Sequence, residues 1–159
     1  MGLDMYINKV KKTNHSIREL IALNADAHPD NVEVAEFLPL SHPYPEDAHD
    51  YYTIFHQVAY WRKFNALHGW FVNNLQLGID NCADYELNKD ILLDLLEVLE
   101  ETWTLKNPSK LPPALGYFWG STEIDDYYWD KVYDSIQTIS QLIDDTDWKN
   151  ERLFYTSSW

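Results

Sequence analysis

A segment near the middle of the chain combines the side chains best suited to ligand binding. Between Tyr60 and Trp70 the sequence brings together aromatic rings, two cations, an amide and an imidazole. Trp61, Phe64, His68 and Phe71 recur at spacings of three and four, which places them on one face of a helix. Such a helix either anchors a core or lines a pocket.

Both interpretations of this segment are physically sound. In the packing interpretation, Trp61, Phe64 and His68 lie in the core and Arg62 forms a salt bridge with one of the many acids. In the binding interpretation, the planar guanidinium of Arg62 holds a phosphate. A Trp or Tyr ring then stacks on a base, and Asn65 or His68 bonds its polar edge.

A second candidate segment lies before the last predicted helix. Gly116 and Gly120 bracket three aromatic residues there. The free backbone N–H groups and the positive end of the helix dipole favour an anion at such a junction. The alternative is that the two glycines only permit a tight turn.

Together these segments predict one aromatic and cationic ligand site with no catalytic residue. We expect Trp70 or Trp119 to stack on the ligand, because Trp103 and Trp129 are explained as core residues of helices. Trp159 either plugs the core or closes the pocket. The predicted ligand-binding residues are Tyr60, Trp61, Arg62, Asn65, His68, Trp70, Phe118, Trp119, Ser121, Tyr127 and Trp159.

Metal and nucleophile chemistry have little support in the sequence. His42, His49 and His56 are regularly spaced, but prolines between them prevent one helix from presenting all three. The sequence has no HExxH motif, and its single Cys82 cannot form a paired metal site. We therefore predict no metal and no cofactor. A dyad of Cys82 with His68 would require the fold to bring them together.

Four motifs together resemble a family of small phage and bacterial proteins. They are the opening MGLDMY, the YWRK and LHGW pair within Tyr60–Trp70, the loop of residues 111–120, and the final YTSSW. Proteins of this family are often labelled phosphoglycerate kinase. That label does not fit, because the chain is too short for that two-domain enzyme and has no G-x-x-x-x-G-K-[ST] loop.

The resemblance implies a phage protein and fixes the family better than the function. The pocket chemistry, and the habit of small acidic phage proteins to act as sponges for host immune nucleotides, predict a sponge that sequesters such a nucleotide without turnover. The expected ligands are ADP-ribose-derived cyclic nucleotides or cyclic dinucleotides. The alternatives are an enzyme that cleaves such a nucleotide, with His68 or His56 as acid or base, and an acidic inhibitor that binds a host protein.

Composition limits the partners and the location. The 159 residues include 12 Lys and Arg against 26 Asp and Glu, a net charge of -14 that disfavours nucleic acids and anionic membranes. The first residues lack the basic and apolar stretches typical of a signal peptide, and no apolar run reaches about 20 residues, so we expect a protein of the host cytosol. The sequence leaves a homo-oligomer open.

The elements that must position these residues form one predicted α+β domain, residues 1–159, with three main helices and a small antiparallel sheet. Residues 24–52 contain four prolines and predict an irregular segment, a candidate lid, with a strand near 32–37.

Ser16 and Glu19 form a predicted capping box at the start of the first helix. Strands are expected at 3–7, 85–87 and 153–156, with the first and last paired, and helices at 16–23, 53–77, 88–103 and 123–144.

Overall fold

The computed structural model describes residues 2–25 and 54–159. The predicted lid and the predicted strand near 32–37 lie outside the described residues. Within them the fold is α+β, as the sequence predicts.

A four-stranded antiparallel sheet forms from widely separated parts of the chain. Its strands are β1 (Asp4–Lys11), β2 (His56–Arg62), β3 (Tyr85–Leu87) and β4 (Glu151–Ser158), in the order β2-β1-β4-β3. β1 pairs with β4 over its full length, from Asp4 opposite Ser158 to Lys11 opposite Glu151. The predicted pairing of the first and last strands is therefore confirmed.

The described helices are α1 (Ile17–Ala25), α2 (Asn65–Asn74), α3 (Lys89–Leu105) and α4 (Asp126–Asp145), with a short 3-10 turn at Pro108–Lys110. The predicted capping box precedes α1, where Ser16 and Glu19 bond each other's backbone N–H groups. The predicted Asn88 cap of α3 is also present and accepts a hydrogen bond from the Ile91 N–H at 2.8 Å.

The main core lies on the sheet face that is covered by α2, α3 and α4. Met5 and Ile7 of β1 and Tyr155 of β4 contribute to it, and all three are fully buried. Phe154 is the neighbour of Tyr155 and points to the opposite face. It packs there with Val10 and with residues of α1 in a second, smaller cluster.

The predicted helix over residues 53–77 is wrong in its first half. His56–Arg62 forms the strand β2, in which Ala59 and Trp61 are buried while Tyr60 and Arg62 are exposed, so burial alternates as a strand requires. The chain then turns at Lys63, whose φ of 53° lies in the left-handed region. Only Asn65–Asn74 is helical. The spacing of three and four residues is the same whether the buried side chains lie on one helix or on a strand, a turn and a helix that pack into one core. It therefore cannot distinguish these two structures.

The last helix differs from its prediction only at its start. It begins at Asp126 instead of residue 123, because the Asp125 carboxylate caps it by accepting a hydrogen bond from the Tyr128 N–H at 3.0 Å. Val132, Ile139 and Ile143 are buried as predicted, whereas Trp129 and Ile136 are half-buried at the border of the core.

Candidate functional site

The fold separates the predicted site residues into a buried layer, an exposed corner and a shallow groove. β2 and the turn at Lys63 place Tyr60 and Arg62 outside, whereas α2 carries Asn65 and His68 inward. The structure does not bring the predicted residues together at one place, and the ligand site stays a prediction.

His68 is the centre of the buried layer. Its ring is fully buried, with Nε2 3.1 Å from the Asp80 carboxylate and Nδ1 2.7 Å from the Tyr155 hydroxyl. Because a carboxylate only accepts, Nε2–H donates to Asp80 and Nδ1 accepts from Tyr155. The edge of Trp119 lies against the imidazole, with ring centroids 4.5 Å apart. This is a satisfied core histidine.

Burial shifts the ionisation of this layer. It lowers the pKa of His68, although the adjacent Asp80 carboxylate acts in the opposite direction. Burial also raises the pKa of the Tyr155 hydroxyl well above its ordinary value. Both groups are therefore held neutral. They stabilise the core around Phe71, whose ring stacks on Tyr155 at 3.9 Å.

Asn65 and Trp61 also act within the structure. The Asn65 amide donates to the Ser121 carbonyl at 2.7 Å, and its carbonyl accepts from the Ala114 N–H at 3.3 Å. One buried side chain therefore holds both ends of the loop that precedes α4. The Trp61 indole donates to the Ser135 hydroxyl on α4 at 2.9 Å. Neither residue is free to bind a ligand.

The exposed members form what we call the Arg62 corner, defined as Asp4, Tyr60, Arg62, Lys63, Phe118 and Tyr127. Arg62 Nη1 lies 3.1 Å from the Asp4 carboxylate, which also accepts from the Tyr60 hydroxyl at 2.5 Å. The Tyr127 hydroxyl donates to the Arg62 carbonyl at 2.8 Å. About half of the Arg62 side chain remains exposed.

The charges at this corner support one another. The hydrogen bond to Asp4 raises the pKa of Tyr60, so the phenol stays protonated. The Tyr60 hydroxyl and the Asp4 carboxylate both raise the pKa of Arg62, so the guanidinium stays charged. Asp4 thus occupies the position where the Arg62 and Tyr60 donors would hold an anion.

The backbone of the corner is held in an unfavourable conformation. Lys63 and Phe118 both have left-handed φ angles, 53° and 68°, and Gly120 follows with 100°. A Cβ on Gly120 would lie 3.1 Å from the Lys63 Cβ, so these two backbones pass close to each other. The Leu3 N–H donates to the Phe118 carbonyl at 3.1 Å and fixes this arrangement. Strained non-glycine residues persist where the surrounding structure enforces them, often at functional sites.

The loop of residues 116–121 packs against the core and contributes little to the wall of a pocket. Gly116 lies directly beneath the Trp119 ring, where a Cβ would come within 2.0 Å of the indole. Trp119 is consequently half-buried between Gly116 and His68 and has little surface for stacking. The Ser121 hydroxyl accepts from the Glu123 N–H at 3.0 Å and shapes the turn toward α4.

Trp70 borders a groove that contains no residue of the corner, and Trp159 follows Ser158, which pairs with Asp4 of the corner. Trp70 is half-buried and borders a groove of about 160 Å³ with Asn73, Lys110 and Pro113. Lys110 is paired with Glu101 across this side of the protein. Trp159 follows β4 and is about half exposed, so it does not plug the core.

Several residues that shape the site are not among the predicted ligand-binding residues. Asp4 and Lys63 complete the corner, and Asp80 and Tyr155 complete the His68 network. The alternation of Leu3, Met5 and Ile7 does place Asp4 on the outward face of β1. The pairing of Asp80 with His68 follows only from the turn after α2, which no pattern encodes.

The described residues contain no group of three or more His, Cys, Asp or Glu side chains arranged to hold a metal ion. His56, the one described member of the histidine series, lies exposed on β2. In the parts of the chain that the structure describes, no helix is long and apolar enough to cross a membrane.

Comparisons with protein-family models, with curated proteins and with solved structures find no match to this chain. The resemblance to the phage family therefore remains a prediction from the four motifs.

Proposed function

We propose that the protein binds a small nucleotide-like anion at the Arg62 corner and sequesters it without chemical change. The observation that supports this is the exposed combination of Arg62 and Lys63 with the rings of Tyr60, Tyr127 and Phe118, each about half exposed. Guanidinium and ammonium groups suit phosphates, and exposed rings suit a flat base.

The strained backbone at Lys63 supports the same proposal. A lysine in the left-handed region costs the fold free energy, and a glycine would not. The backbone conformation therefore does not explain a lysine at this position, whereas a role for its positive charge in ligand binding does. Among the described residues Lys63 makes no ion pair, so its charge is available to a ligand.

The ligand class follows from the charge and the rings. A net charge of -14 repels long polyanions, but two adjacent cations suit a compact diphosphate or cyclic phosphate. ADP-ribose-derived cyclic nucleotides and cyclic dinucleotides have this size and charge. A role as a phage sponge for such host immune signals rests on the family resemblance.

Cleavage of the ligand has less support than binding. A general acid or base must reach the ligand. His68 is fully buried and both ring nitrogens are bonded, so it cannot do so in this structure. His56 is exposed but lies at the opposite end of β2 from Arg62.

The test is calorimetric titration with ADP-ribose and with cyclic di-adenosine monophosphate. Arg62→Ala should abolish binding, and Arg62→Lys should restore it only in part, because a point charge replaces a planar fork. Arg152→Ala is the matched control, since Arg152 also lies on the sheet and pairs with a carboxylate, that of Glu86. Equal losses in Arg62→Ala and Arg152→Ala would contradict the proposal.

Two further measurements sharpen this test. Asp4→Asn should strengthen binding about 2- to 5-fold, because it releases Arg62 from a competing carboxylate. Heat denaturation of the loaded protein should release the ligand unchanged by mass spectrometry. A cleaved product would favour the enzyme alternative instead.

A further inference from the structure

A groove of about 470 Å³ lies between the outer edge of β2 and the side of α4. Val58, Ala59 and Tyr60 of β2 and Leu142 of α4 line one part of it, and Thr138, Gln141 and Asp145 of α4 supply a polar wall. Tyr60 also belongs to the Arg62 corner, which adjoins this groove. Its volume is in the range that accommodates drug-sized ligands or several side chains of a peptide.

One side of the groove is a strand edge. β2 is the outermost strand of the sheet and pairs with β1 alone among the described strands. No second strand in the described part of the chain pairs with its outward edge. A seven-residue strand edge with no partner among the described strands is a template for an added strand, and folds usually protect such edges.

The helix side of the groove carries one acid, Asp145, at a helix end where the dipole disfavours acids. Thr138, Gln141 and Asp145 are spaced by three and four residues and share one stripe of α4. Gln141 Nε2 donates to the Asp145 carboxylate at 3.1 Å, so this stripe fixes the carboxylate in place. Asp144 and Asp145 end the helix with no basic residue in the last turn, against the negative end of the dipole. Departures from local rules of this kind are expected at functional sites.

We propose that this groove binds an extended, basic peptide segment of a partner protein, which adds to β2 as a further strand and sets cationic side chains against Asp145. Strand addition derives affinity from main-chain hydrogen bonds and specificity from alternate side chains. The net charge of -14 draws such a peptide toward the protein.

The groove suits this occupant better than others. Lys9 borders one end, but its ammonium group is neutralised by Glu151 at 3.0 Å and bonds the Asp145 carbonyl at 3.4 Å. A small anion would therefore meet the Asp145 carboxylate, and the one cation of the lining, Lys9, is already paired. A second copy of the chain would bring the same charge of -14 to the contact, which opposes pairing of two β2 edges.

The experiment measures fluorescence anisotropy of a labelled, end-blocked peptide of about seven alternating valine and lysine residues, a typical strand length. A version with N-methyl groups on alternate residues keeps the charge and removes the outward main-chain donors. A version with glutamate in place of lysine reverses the charge. The first peptide should bind, the N-methylated peptide should bind at least about 10-fold more weakly, and the glutamate peptide should not bind.

Two variants of α4 separate groove binding from general attraction. Asp145→Asn should weaken binding about 2- to 5-fold, as expected for a partly exposed ion pair. Asp144→Asn is the matched control, because it removes the same charge from the same helix end and its side chain does not line the groove. Both variants relieve the unfavourable dipole interaction, so both should fold.

Thr138→Trp fills the groove and should remove binding of the valine-lysine peptide while circular dichroism stays unchanged. The ADP-ribose titration should be the same in Asp145→Asn as in the parent protein, which keeps this test separate from that of the Arg62 corner. Equal binding of the N-methylated peptide, equal effects of Asp144→Asn and Asp145→Asn, or no binding of the first peptide would each overturn the proposal.

Discussion

Arg62 of the corner and His68 of the buried layer are six residues apart in sequence but have opposite environments. At the corner, Arg62 and Lys63 are exposed on a strained turn. In the layer, Asn65 and His68 are buried with their polar atoms paired. The same residue types that suggest ligand binding thus perform two tasks. The layer holds the loop and the core together, and the corner presents charge and rings to solvent.

The largest expected difference between the two regions is in how much the removal of an aromatic ring lowers the free energy of unfolding. Phe71→Ala removes a fully buried ring stacked on Tyr155 and should lower the free energy of unfolding by about 3–5 kcal/mol. Phe118→Ala, at the half-exposed corner, is the control and should change it by less than about 1 kcal/mol. Urea denaturation followed by circular dichroism measures both. Similar losses would mean that the corner ring is also structural.

Asn65→Ala should have the next largest effect. It removes the hydrogen bonds to the Ser121 carbonyl and the Ala114 N–H and should cost about 1–3 kcal/mol. Proteolysis within residues 111–121 should become faster. Asn73→Ala, on the exposed side of α2, should leave stability and proteolysis unchanged. If the two variants behave alike, Asn65 does not hold the loop.

Acid should weaken the fold through His68. Its folded-state pKa is lowered by burial, so below the unfolded value of about 6.5 the unfolded chain binds a proton that the folded protein does not. The free energy of unfolding should therefore fall as pH decreases below about 6.5, with this residue contributing at most about 1.4 kcal/mol per pH unit.

His68→Gln should reduce this pH dependence although it destabilises the protein overall. His56→Gln, which changes an exposed histidine, serves as the comparison. Urea denaturation at a series of pH values from about 5 to 8 measures the slope for each variant. An unchanged slope in His68→Gln would show that other groups cause the acid sensitivity.

The smallest expected change in the free energy of unfolding is an increase, at Lys63 of the corner. Lys63→Gly should stabilise the protein by about 0.5–1 kcal/mol, because glycine accepts the left-handed φ of 53° without strain. The same variant should weaken ADP-ribose binding. Lys63→Gln retains the strain and removes the charge, so it should lose binding without gaining stability. A less stable Lys63→Gly variant would show that the side chain is needed for packing.

The sequence predicts the elements of this fold better than it predicts the site. Alternation in β1, the Ser16 and Glu19 capping box and the Asn88 cap are local signals, and the structure confirms all three. The sequence also predicts the pairing of β1 with β4, because each strand alone leaves its backbone groups unsatisfied, and the structure confirms it.

The site could not be predicted because its geometry depends on one turn. Trp61, Phe64 and His68 are all buried in the core, as their spacing predicts. They do not lie on one helix, however, because Trp61 belongs to β2 and His68 to α2. The left-handed Lys63 changes the direction of the chain between them. No residue type in that segment signals the turn, since lysine rarely adopts that conformation.

The pairing of β1 with β4 has a consequence for how the protein forms during translation. Both are central strands, yet about 140 residues separate them in the chain. Until β4 has left the ribosome, β1 lacks the neighbour that completes the middle of the sheet. Helices α2, α3 and α4 therefore emerge before the surface on which they pack is assembled, and the nascent chain depends on the last strand to become a folded protein.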